Sequence, residues 1–368
     1  MNNGLLFVFL LILIPIFLST IFIPYWTRKT ESFGVTIPQD VYSSNILKQL
    51  RKRYAIYTSI SAVILTAILF IINATVNNET AASINLTVAI FLYLALNFII
   101  YLKFHFNMKK IKESSNWEQG KSQQLFIDTQ FHKGKLTYSN LWFLFSFIIT
   151  ILVTIFTLKN YHLLPEQIPM QYNFSGEVSN STEKSYRSAL LFPIMQFFFT
   201  FLFLFINVMI ARSKQQIDSE NPEESRKRNT IFRRKWSLFI IITGNAFALF
   251  FSFIQLSFFY KFTSATMMIV TLGFTLLIIF GAIYLAYSTG QGGSRIQQTT
   301  TTSNGKAINR DDDRYWKLGV FYFNRNDPSL FLEKRFGVGW TINFARPLAW
   351  TFFLIIVAIA IVIPLLFS

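Results

Sequence analysis

Residues 51–73 read RKRYAIYTSISAVILTAILFIIN, three basic residues followed by twenty residues that carry no charge. In an α-helix, twenty apolar residues span about 30 Å, which is the thickness of the hydrocarbon layer of a bilayer. A helix also satisfies all the backbone hydrogen bonds that lipid cannot supply. This stretch therefore predicts a transmembrane helix that begins beside a cluster of positive charge.

Similar apolar blocks lie on both sides of this one along the chain. The predicted spans are 4–24, 54–73, 84–103, 140–158, 188–211, 236–260, 263–287 and 347–367. Tryptophan lies at several of their ends (Trp26, Trp142, Trp236 and Trp350), as is typical of the membrane interface. We predict an all-α integral membrane protein with about eight transmembrane helices.

The composition favours the same class. Of the 368 residues, 52% are hydrophobic, 43 are Phe, and only 14% are charged, whereas a soluble domain carries about 25% charged residues. The absence of Cys excludes disulfides, thiolate chemistry and cysteine zinc sites.

Lys and Arg are distributed unevenly among the predicted loops. Thirty of the 34 basic residues lie within 25–53, 103–139, 212–235 and 288–346. Loops rich in Lys and Arg remain in the cytoplasm, so we expect these segments inside and both chain termini outside. Because the net charge of +16 is spread over these loops, it indicates contact with anionic lipid headgroups and no direct binding of nucleic acid.

The last basic segment differs in character along its length. Residues 288–313 are rich in Gly and Thr and predict a flexible linker. Trp316–Phe323 is aromatic and typical of a strand, and Val338–Phe344 alternates between large apolar and small or polar residues. A weaker alternation includes Leu125, Ile127 and Phe131. We expect a small β-containing segment in the cytoplasm.

These patterns divide the chain into six regions. They are the first four spans (1–158), an extracytoplasmic loop (159–187), spans five to seven (188–287), the linker (288–313), a small cytoplasmic domain (314–346) and the last span (347–368).

The interiors of the predicted spans contain no Asp, Glu, Lys or Arg, which argues against a transporter coupled to an ion gradient. Their neutral polar residues are Asn97, Gln196, Asn207, Asn245 and Gln255. We expect these side chains to bond one helix to another, and contact with a substrate is the alternative. Small residues near Gly273 and Gly281 allow close packing of helices, either within one chain or between chains.

No set of nucleophile, base and metal ligands can be assembled, so we predict neither an enzyme nor a bound cofactor or metal. The histidines, His105, His132 and His162, fall on two sides of the predicted membrane. We expect the acidic run Asp311–Asp313 to be a solvated end of the linker.

The extracytoplasmic loop contains LPEQIPMQYNFSGE at residues 164–177, followed by Lys184. Its two prolines favour extended backbone, and Asn173–Gly176 is typical of a turn. The loop therefore predicts a short hairpin.

This loop resembles the short extracytoplasmic motif of a bacterial membrane family of unknown function, which includes the immunity protein against the sporulation-delaying peptide toxin. The matching residues are Leu164, Pro165, Ile168, Pro169, Tyr172, Asn173, Gly176 and Lys184. The chain departs from the pattern at Gln171, where the family usually has His, and at Asn180, near a usual Asp. The resemblance implies ligand binding by Pro165, Pro169, Gln171, Asn173, Gly176 and Lys184.

A second motif reads DRYWKLGVFYFN at 313–324 and KRFGVGWTIN at 334–343, with Asp327-Pro328 between. It is similar to a C-terminal domain, also of unknown function, that accompanies the first motif in related bacterial membrane proteins. We expect it to contact a soluble partner or anionic lipid through Trp316, Lys317, Lys334, Arg335 and Trp340.

Together these resemblances imply an immunity-like or envelope-sensing protein of the bacterial cell membrane. Such a protein would bind a peptide toxin or another ligand outside and a soluble regulator or lipid inside. The alternative is a transporter, or a permeation pathway for a solute, that is not coupled to ions.

Overall fold

The computed structural model describes residues 3–76, 78–115, 117, 135–173, 176–216, 222–296, 313–351, 354–355 and 357–358. Within these ranges, seven helices are long and apolar enough to cross a membrane, by length and composition. The predicted all-α, multi-span class is confirmed. The eighth predicted span, 347–367, lies largely outside the described residues.

The helices and strands have these bounds. The α-helices are α1 (Asn3–Trp26), α2 (Asn45–Ala74), α3 (Glu79–Ser114), α4 (Leu144–Lys159), α5 (Tyr186–Ala189), α6 (Leu191–Arg212), α7 (Pro222–Leu256) and α8 (Ser264–Thr289). The strands are β1 (Glu31–Ser32), β2 (Val35–Thr36), β3 (Gln167–Tyr172), β4 (Val178–Glu183), β5 (Trp316–Lys317), β6 (Phe321–Tyr322), β7 (Phe331–Glu333) and β8 (Trp340–Ile342). Consecutive strands pair as four antiparallel hairpins.

Several helices extend beyond the predicted apolar spans. Helix α2 begins at Asn45, where the Ser44 hydroxyl caps it by accepting from the Leu47 amide, and α3 continues to Ser114. Hydropathy detects only the apolar part of a membrane helix. Polar turns at its ends remain helical because their backbone hydrogen bonds are the same.

Large apolar side chains on these helices are exposed on the protein surface. Val63 and Ile71 of α2 are 69% and 71% exposed, and Ile269 and Leu277 of α8 are 66% and 67% exposed. Rows of exposed apolar residues would be unfavourable in water, and lipid covers them in a bilayer.

The chain divides into two compact units, and the first comprises Met1–Gly134, Ser213–Arg233 and Ile283–Thr351. Its core is built around Phe33, at the tip of the β1–β2 hairpin, which is 1% exposed. The Phe33 ring stacks on Phe104 of α3 and on Phe336, with ring centroids 5.4 and 5.8 Å apart. Phe33 has a φ of 47°, which is unfavourable for a bulky residue, and burial of its ring offsets that strain.

Helix α3 binds the tip of this hairpin through two polar side chains. The Nδ1 atom of His105 lies 2.8 Å from the Phe33 carbonyl oxygen, and the Tyr101 hydroxyl donates to the same oxygen at 3.3 Å. A Cβ on Gly34 would lie 2.5 Å from the carbonyl oxygen of Gly319. The tips of hairpins β1–β2 and β5–β6 therefore meet against α3, and His105 has a structural role that the sequence did not indicate.

The small β-containing segment is confirmed, but Trp316–Phe323 is not a single strand. The chain reverses at Leu318 and Gly319, whose φ values of 51° and 71° are those of a type I′ turn. Hairpins β5–β6 and β7–β8 are joined by a parallel bridge between Tyr322 and Asn343.

The predicted linker is ordered at its beginning. Gln291 is fully buried, and its amide nitrogen donates to the carbonyl oxygens of Lys334 and Gly339 at 3.0 and 2.9 Å. Its side-chain oxygen accepts from the Gly339 amide at 2.7 Å. The prediction of a flexible linker from residue 288 is therefore wrong for these first residues. Residues 297–312 and the alternation at Leu125, Ile127 and Phe131 lie outside the described residues.

The second unit comprises Lys135–Arg212, Arg234–Ala282 and Phe352–Ser368. Its buried amides link α4, α6 and α7. Gln196 donates to the carbonyl oxygen of Ala248 at 2.7 Å, and Gln255 donates to the Thr157 hydroxyl at 3.1 Å. This confirms the prediction that these side chains bond helix to helix.

Asn207 and Asn245 also bond one helix to another segment of this unit. Asn207 accepts from the Ser237 hydroxyl at 2.6 Å, and Asn245 accepts from the Ser146 hydroxyl at 2.6 Å. Asn97 of the first unit differs, because its side chain donates to the Tyr93 carbonyl oxygen of its own helix at 2.9 Å. The prediction of a helix-to-helix bond is wrong for Asn97.

Candidate functional site

The predicted hairpin is confirmed as β3–β4 in the second unit. Ile168 is fully buried in a cluster with Leu164, Ala189 and Phe258. Gln167 and Gln171 of the same strand are exposed, and the strand register shifts between Pro169 and Tyr172. The hairpin is thus anchored through Ile168, while Gln167 and Gln171 remain at the surface.

Lys184 holds the base of this hairpin. Its ammonium donates to the carbonyl oxygen of Leu164 at 2.9 Å and to that of His162 at 3.5 Å. It also lies 5.4 Å from the centre of the Tyr161 ring and 3.4 Å from the Glu166 carboxylate. The Lys184 side chain is 13% exposed. Its geometry is that of a cap on the helical turn Tyr161–Leu163, a structural role.

The turn of the hairpin is fixed by Asn173 and Gly176. The Asn173 amide donates to the Glu177 carbonyl oxygen at 2.8 Å, and the Glu177 amide donates back to the Asn173 side chain at 2.8 Å. Gly176 has a φ of 80°, and a Cβ there would lie 2.2 Å from the Ser264 carbonyl oxygen. Only glycine fits at this position.

The structure therefore separates the predicted ligand-binding residues of the loop into two groups. Asn173, Gly176 and Lys184 build the hairpin, whereas Pro165 and Gln171 are exposed and Pro169 is half-buried. Gln171 is paired across the strands with Asn180, which is also exposed. These are the two positions at which the sequence departs from the motif that it resembles. Neither their adjacency nor their exposure could be read from the sequence spacing.

A second candidate site surrounds the fully buried carboxylate of Glu333, in the first unit. The Asn229 amide donates to it at 2.6 Å, Arg233 donates at 3.3 Å, and Arg28 forms an ion pair with it. Arg233 also donates to the Asn229 side chain at 2.7 Å. One carboxylate thus joins two arginines that are distant in sequence.

Asp313 joins three further elements of this unit. Its carboxylate pairs with Arg335 and with Lys112 of α3, the latter at 2.9 Å, and accepts from the Thr36 hydroxyl at 2.9 Å. Burial raises the pKa of Asp313, but the positive charges of Arg335 and Lys112 outweigh this, so its pKa lies below the usual value. The expectation of a solvated acidic run is wrong for Asp313, and Asp311 and Asp312 lie outside the described residues.

Asp327 is held in the same manner. Its carboxylate accepts from Lys214 at 2.6 Å, from the Tyr322 hydroxyl at 2.8 Å and from the Ser329 amide at 3.0 Å. Burial raises its pKa, but these hydrogen bonds more than compensate and lower the pKa to about 2. Fully buried Asn343 closes the turn by donating to the Asn324 carbonyl oxygen at 2.8 Å.

Sequence reasoning selected the basic and aromatic residues of this segment and missed its acids. Trp316 and Arg335 are buried, with the guanidinium 5.1 Å from the ring centre, and Trp340 is half-buried against Phe232. Lys317 and Lys334 are exposed. The available signal was that Asp313, Asp327 and Glu333 are the only acids in residues 313–346. Isolated acids in a basic segment indicate internal ion pairs.

Two parts of the chain match described families. Residues 148–197 match a domain of unknown function (DUF1648), and residues 325–350 match a family of unknown function (DUF5808). The first match contains hairpin β3–β4, and the second contains hairpin β7–β8. No curated protein and no solved structure matches the chain. The protein is therefore a multi-span membrane protein that carries two regions of unknown function, one at each of the candidate sites.

Proposed function

We propose that this protein is an immunity-like or envelope-sensing protein of the bacterial cell membrane. In this proposal the β3–β4 hairpin binds a peptide toxin or another envelope ligand outside the cell. The segment of hairpins β5–β6 and β7–β8 contacts a soluble regulator or anionic lipid inside.

The observation that carries the proposal is that some residues of the hairpin fix its backbone while others are exposed at its surface. Its inner residues, including Ile168 and Lys184, fix the backbone. Gln171 and Asn180 are paired across the two strands and are both exposed. An anchored strand pair with exposed polar side chains suits recognition of an extended peptide, because such a peptide can pair with a strand edge while its side chains meet the exposed residues.

The proposed sidedness rests on charge. The hairpin lies in a loop with three basic residues, Lys159, Lys184 and Arg187, whereas the segment 288–346 carries nine. The positive-inside rule then favours a hairpin outside and a basic segment inside.

Transport is the second candidate, and it has lost its main support. The interior amides that could line a path, Gln196, Asn207, Asn245 and Gln255, form hydrogen bonds between helices. A side chain that holds two helices together is not free to bind a moving solute without breaking that contact.

The test is a sensitivity screen. A strain that lacks the gene is challenged with secreted antimicrobial peptides and envelope-active drugs. It is complemented with the wild type, with Gln171→Ala plus Asn180→Ala, or with Asn45→Ala plus Gln49→Ala. The last variant removes the same two exposed side-chain amides from α2, on the opposite predicted side.

We expect the deletion to be sensitised to at least one agent. The wild type and the α2 variant should restore resistance, and the hairpin variant should reach the membrane at normal abundance without restoring it. Equal rescue by both variants would refute recognition by the hairpin. A deletion that no agent distinguishes from the wild type would refute the immunity and sensing function and leave transport as the candidate.

A further inference from the structure

A cavity of about 470 Å³ in the first unit is strongly basic. Five of the nine described residues that line it are cationic, Lys29, Lys48, Arg51, Lys52 and Arg295, and none of the nine is acidic. Like charges in one cavity repel each other, so an arrangement of this kind is favourable when an anion occupies it.

Arg51 is a buried cationic residue of this cavity, and contacts with Tyr42 fix its position. It is only 5% exposed, its guanidinium lies 4.0 Å from the centre of the Tyr42 ring, and its Nη2 donates to the Tyr42 carbonyl oxygen at 2.9 Å. Its Nη1 is buried and has no hydrogen-bond partner among the described residues. A buried donor without a partner is unfavourable. An oxyanion in the cavity would supply that partner.

Helix α2 adds to the positive potential at this point. Lys48, Arg51 and Lys52 lie in its first turns, and its first turn contains no acidic residue. The N-terminus of a helix carries the positive end of its dipole and normally attracts acidic side chains. Here cations take their place, so the dipole and the side chains both favour a bound anion.

Arg295 reaches the cavity from a distant part of the sequence and is fixed there. Its two terminal nitrogens donate to the carbonyl oxygens of Tyr287 at 2.9 Å and Tyr25 at 3.2 Å. Its guanidinium lies 4.8 Å from the centre of the Tyr287 ring. Ser294 adds a hydroxyl to the lining, whereas the hydroxyl of Thr27, which also lines the cavity, donates to the Ile23 carbonyl oxygen at 3.0 Å.

We propose that this cavity binds a phosphate group, either in the headgroup of an anionic lipid or in a free phosphorylated compound. Arginine and lysine together with hydroxyls form the usual donor set for phosphate oxygens. The cavity has the size of a small-ligand site. Tyr25 lies near the last residue of α1, and Lys48 near the first residue of α2, so the cavity lies where two apolar spans end and a lipid headgroup is within reach.

The test uses the purified full-length protein in a neutral detergent. It is titrated with short-chain phosphatidylglycerol, with short-chain diacylglycerol as the lipid that lacks a phosphate group, and with inorganic phosphate. Thermal protection gives the affinity. The test variant is Lys48→Ala plus Lys52→Ala, two exposed residues whose loss leaves the packing unchanged. The matched control, Lys109→Ala plus Lys110→Ala, removes the same charge from exposed positions on α3 outside the cavity.

We expect phosphatidylglycerol to protect more strongly than diacylglycerol, and the test variant to bind phosphatidylglycerol at least tenfold more weakly while the control variant binds it normally. Arg51→Gln should give the same loss. If inorganic phosphate displaces the lipid or protects alone, the source is a free phosphorylated compound; if not, the source is the lipid. Equal protection by both lipids with none by phosphate would overturn the proposal, as would equal losses in the test and control variants.

Discussion

The guanidinium of Arg233 lies 3.3 Å from the carboxylate of Glu333, and both side chains are fully buried. The two residues are a hundred positions apart in sequence. Arg28 pairs with the same carboxylate, so Glu333 connects the chain after α1, helix α7 and hairpin β7–β8 within the first unit.

Glu333→Ala should strongly destabilise the protein. The substitution leaves Arg28 and Arg233 without their shared counter-charge, and removal of one partner from a buried ion pair costs about 3–5 kcal/mol. We expect low abundance in the membrane and a lower midpoint of thermal unfolding in detergent. Glu183→Ala is the control, because Glu183 is an exposed acid and should change stability by less than about 0.5 kcal/mol. A normal midpoint for Glu333→Ala would contradict the buried network.

The lowered pKa of Asp327 predicts that the stability of the protein depends on pH. Its pKa is about 2 in the folded protein, below its ordinary value of 3.8. A lowered folded pKa means that the contribution of Asp327 to stability is complete above pH 3.8 and is lost as the pH falls toward 2. Between these values, the wild type should lose stability more steeply than Asp327→Asn, measured as the unfolding midpoint against pH. Asp40→Asn, at an exposed position, should follow the wild-type curve; parallel curves for all three proteins would refute the prediction.

A feature of this structure can be predicted from the sequence when the residues that produce it are close together in the chain. The spans and hairpin β3–β4 follow from local patterns, the apolar blocks and the sequence LPEQIPMQYNFSGE, and both were predicted. The Phe33 hairpin was not predicted, because an apolar residue with positive φ has no local signal. Its stability comes from rings on α3 and at Phe336.

The same contrast between local and long-range features applies to the candidate sites. Gln171 was selected from a motif, but its pairing with Asn180 depends on the strand register, which includes a bulge between Pro169 and Tyr172. Glu333 was passed over, and Asp313 was assigned to a solvated run, because their basic partners lie far away in the sequence. Long-range ion pairs leave no periodic pattern, so only the structure identifies them.

Lys184→Met should loosen the hairpin without disturbing the helices. Methionine retains the length of the side chain but cannot donate to the carbonyl oxygens of Leu164 and His162, and a charged hydrogen bond contributes about 1.5–3 kcal/mol. We expect faster amide hydrogen exchange over residues 161–184 and unchanged exchange in α6. Lys159→Met, at an exposed position, is the control. Unchanged exchange in the hairpin would show that the Lys184 cap does not stabilise it.

Gly176→Ala should destabilise the second unit by more than about 1 kcal/mol. Alanine disfavours a φ of 80°, and its Cβ would meet the Ser264 carbonyl oxygen at 2.2 Å. The matched control is Gly273→Ala in α8, where a Cβ would meet nothing within 4 Å and where alanine favours the helix. Unfolding midpoints should fall for the first variant and stay equal or rise for the second. The opposite order would mean that the turn tolerates a side chain.

Reporter fusions should decide the number of spans and the orientation together. Thirty basic residues in alternate loops predict that the segment around Ser303 is cytoplasmic, and the predicted eighth span at 347–367 would then bring Ser368 outside. A fluorescent protein inserted at Ser303 should therefore be bright, and alkaline phosphatase fused after Ser368 should be active. Inserting each reporter at the other position provides the control, since both should then be inactive. A cytoplasmic Ser368 with a cytoplasmic Ser303 would mean that the last apolar block does not cross the bilayer. An extracytoplasmic Ser303 would invert the topology and place hairpin β3–β4 inside the cell, which would exclude its proposed role in recognising an envelope ligand.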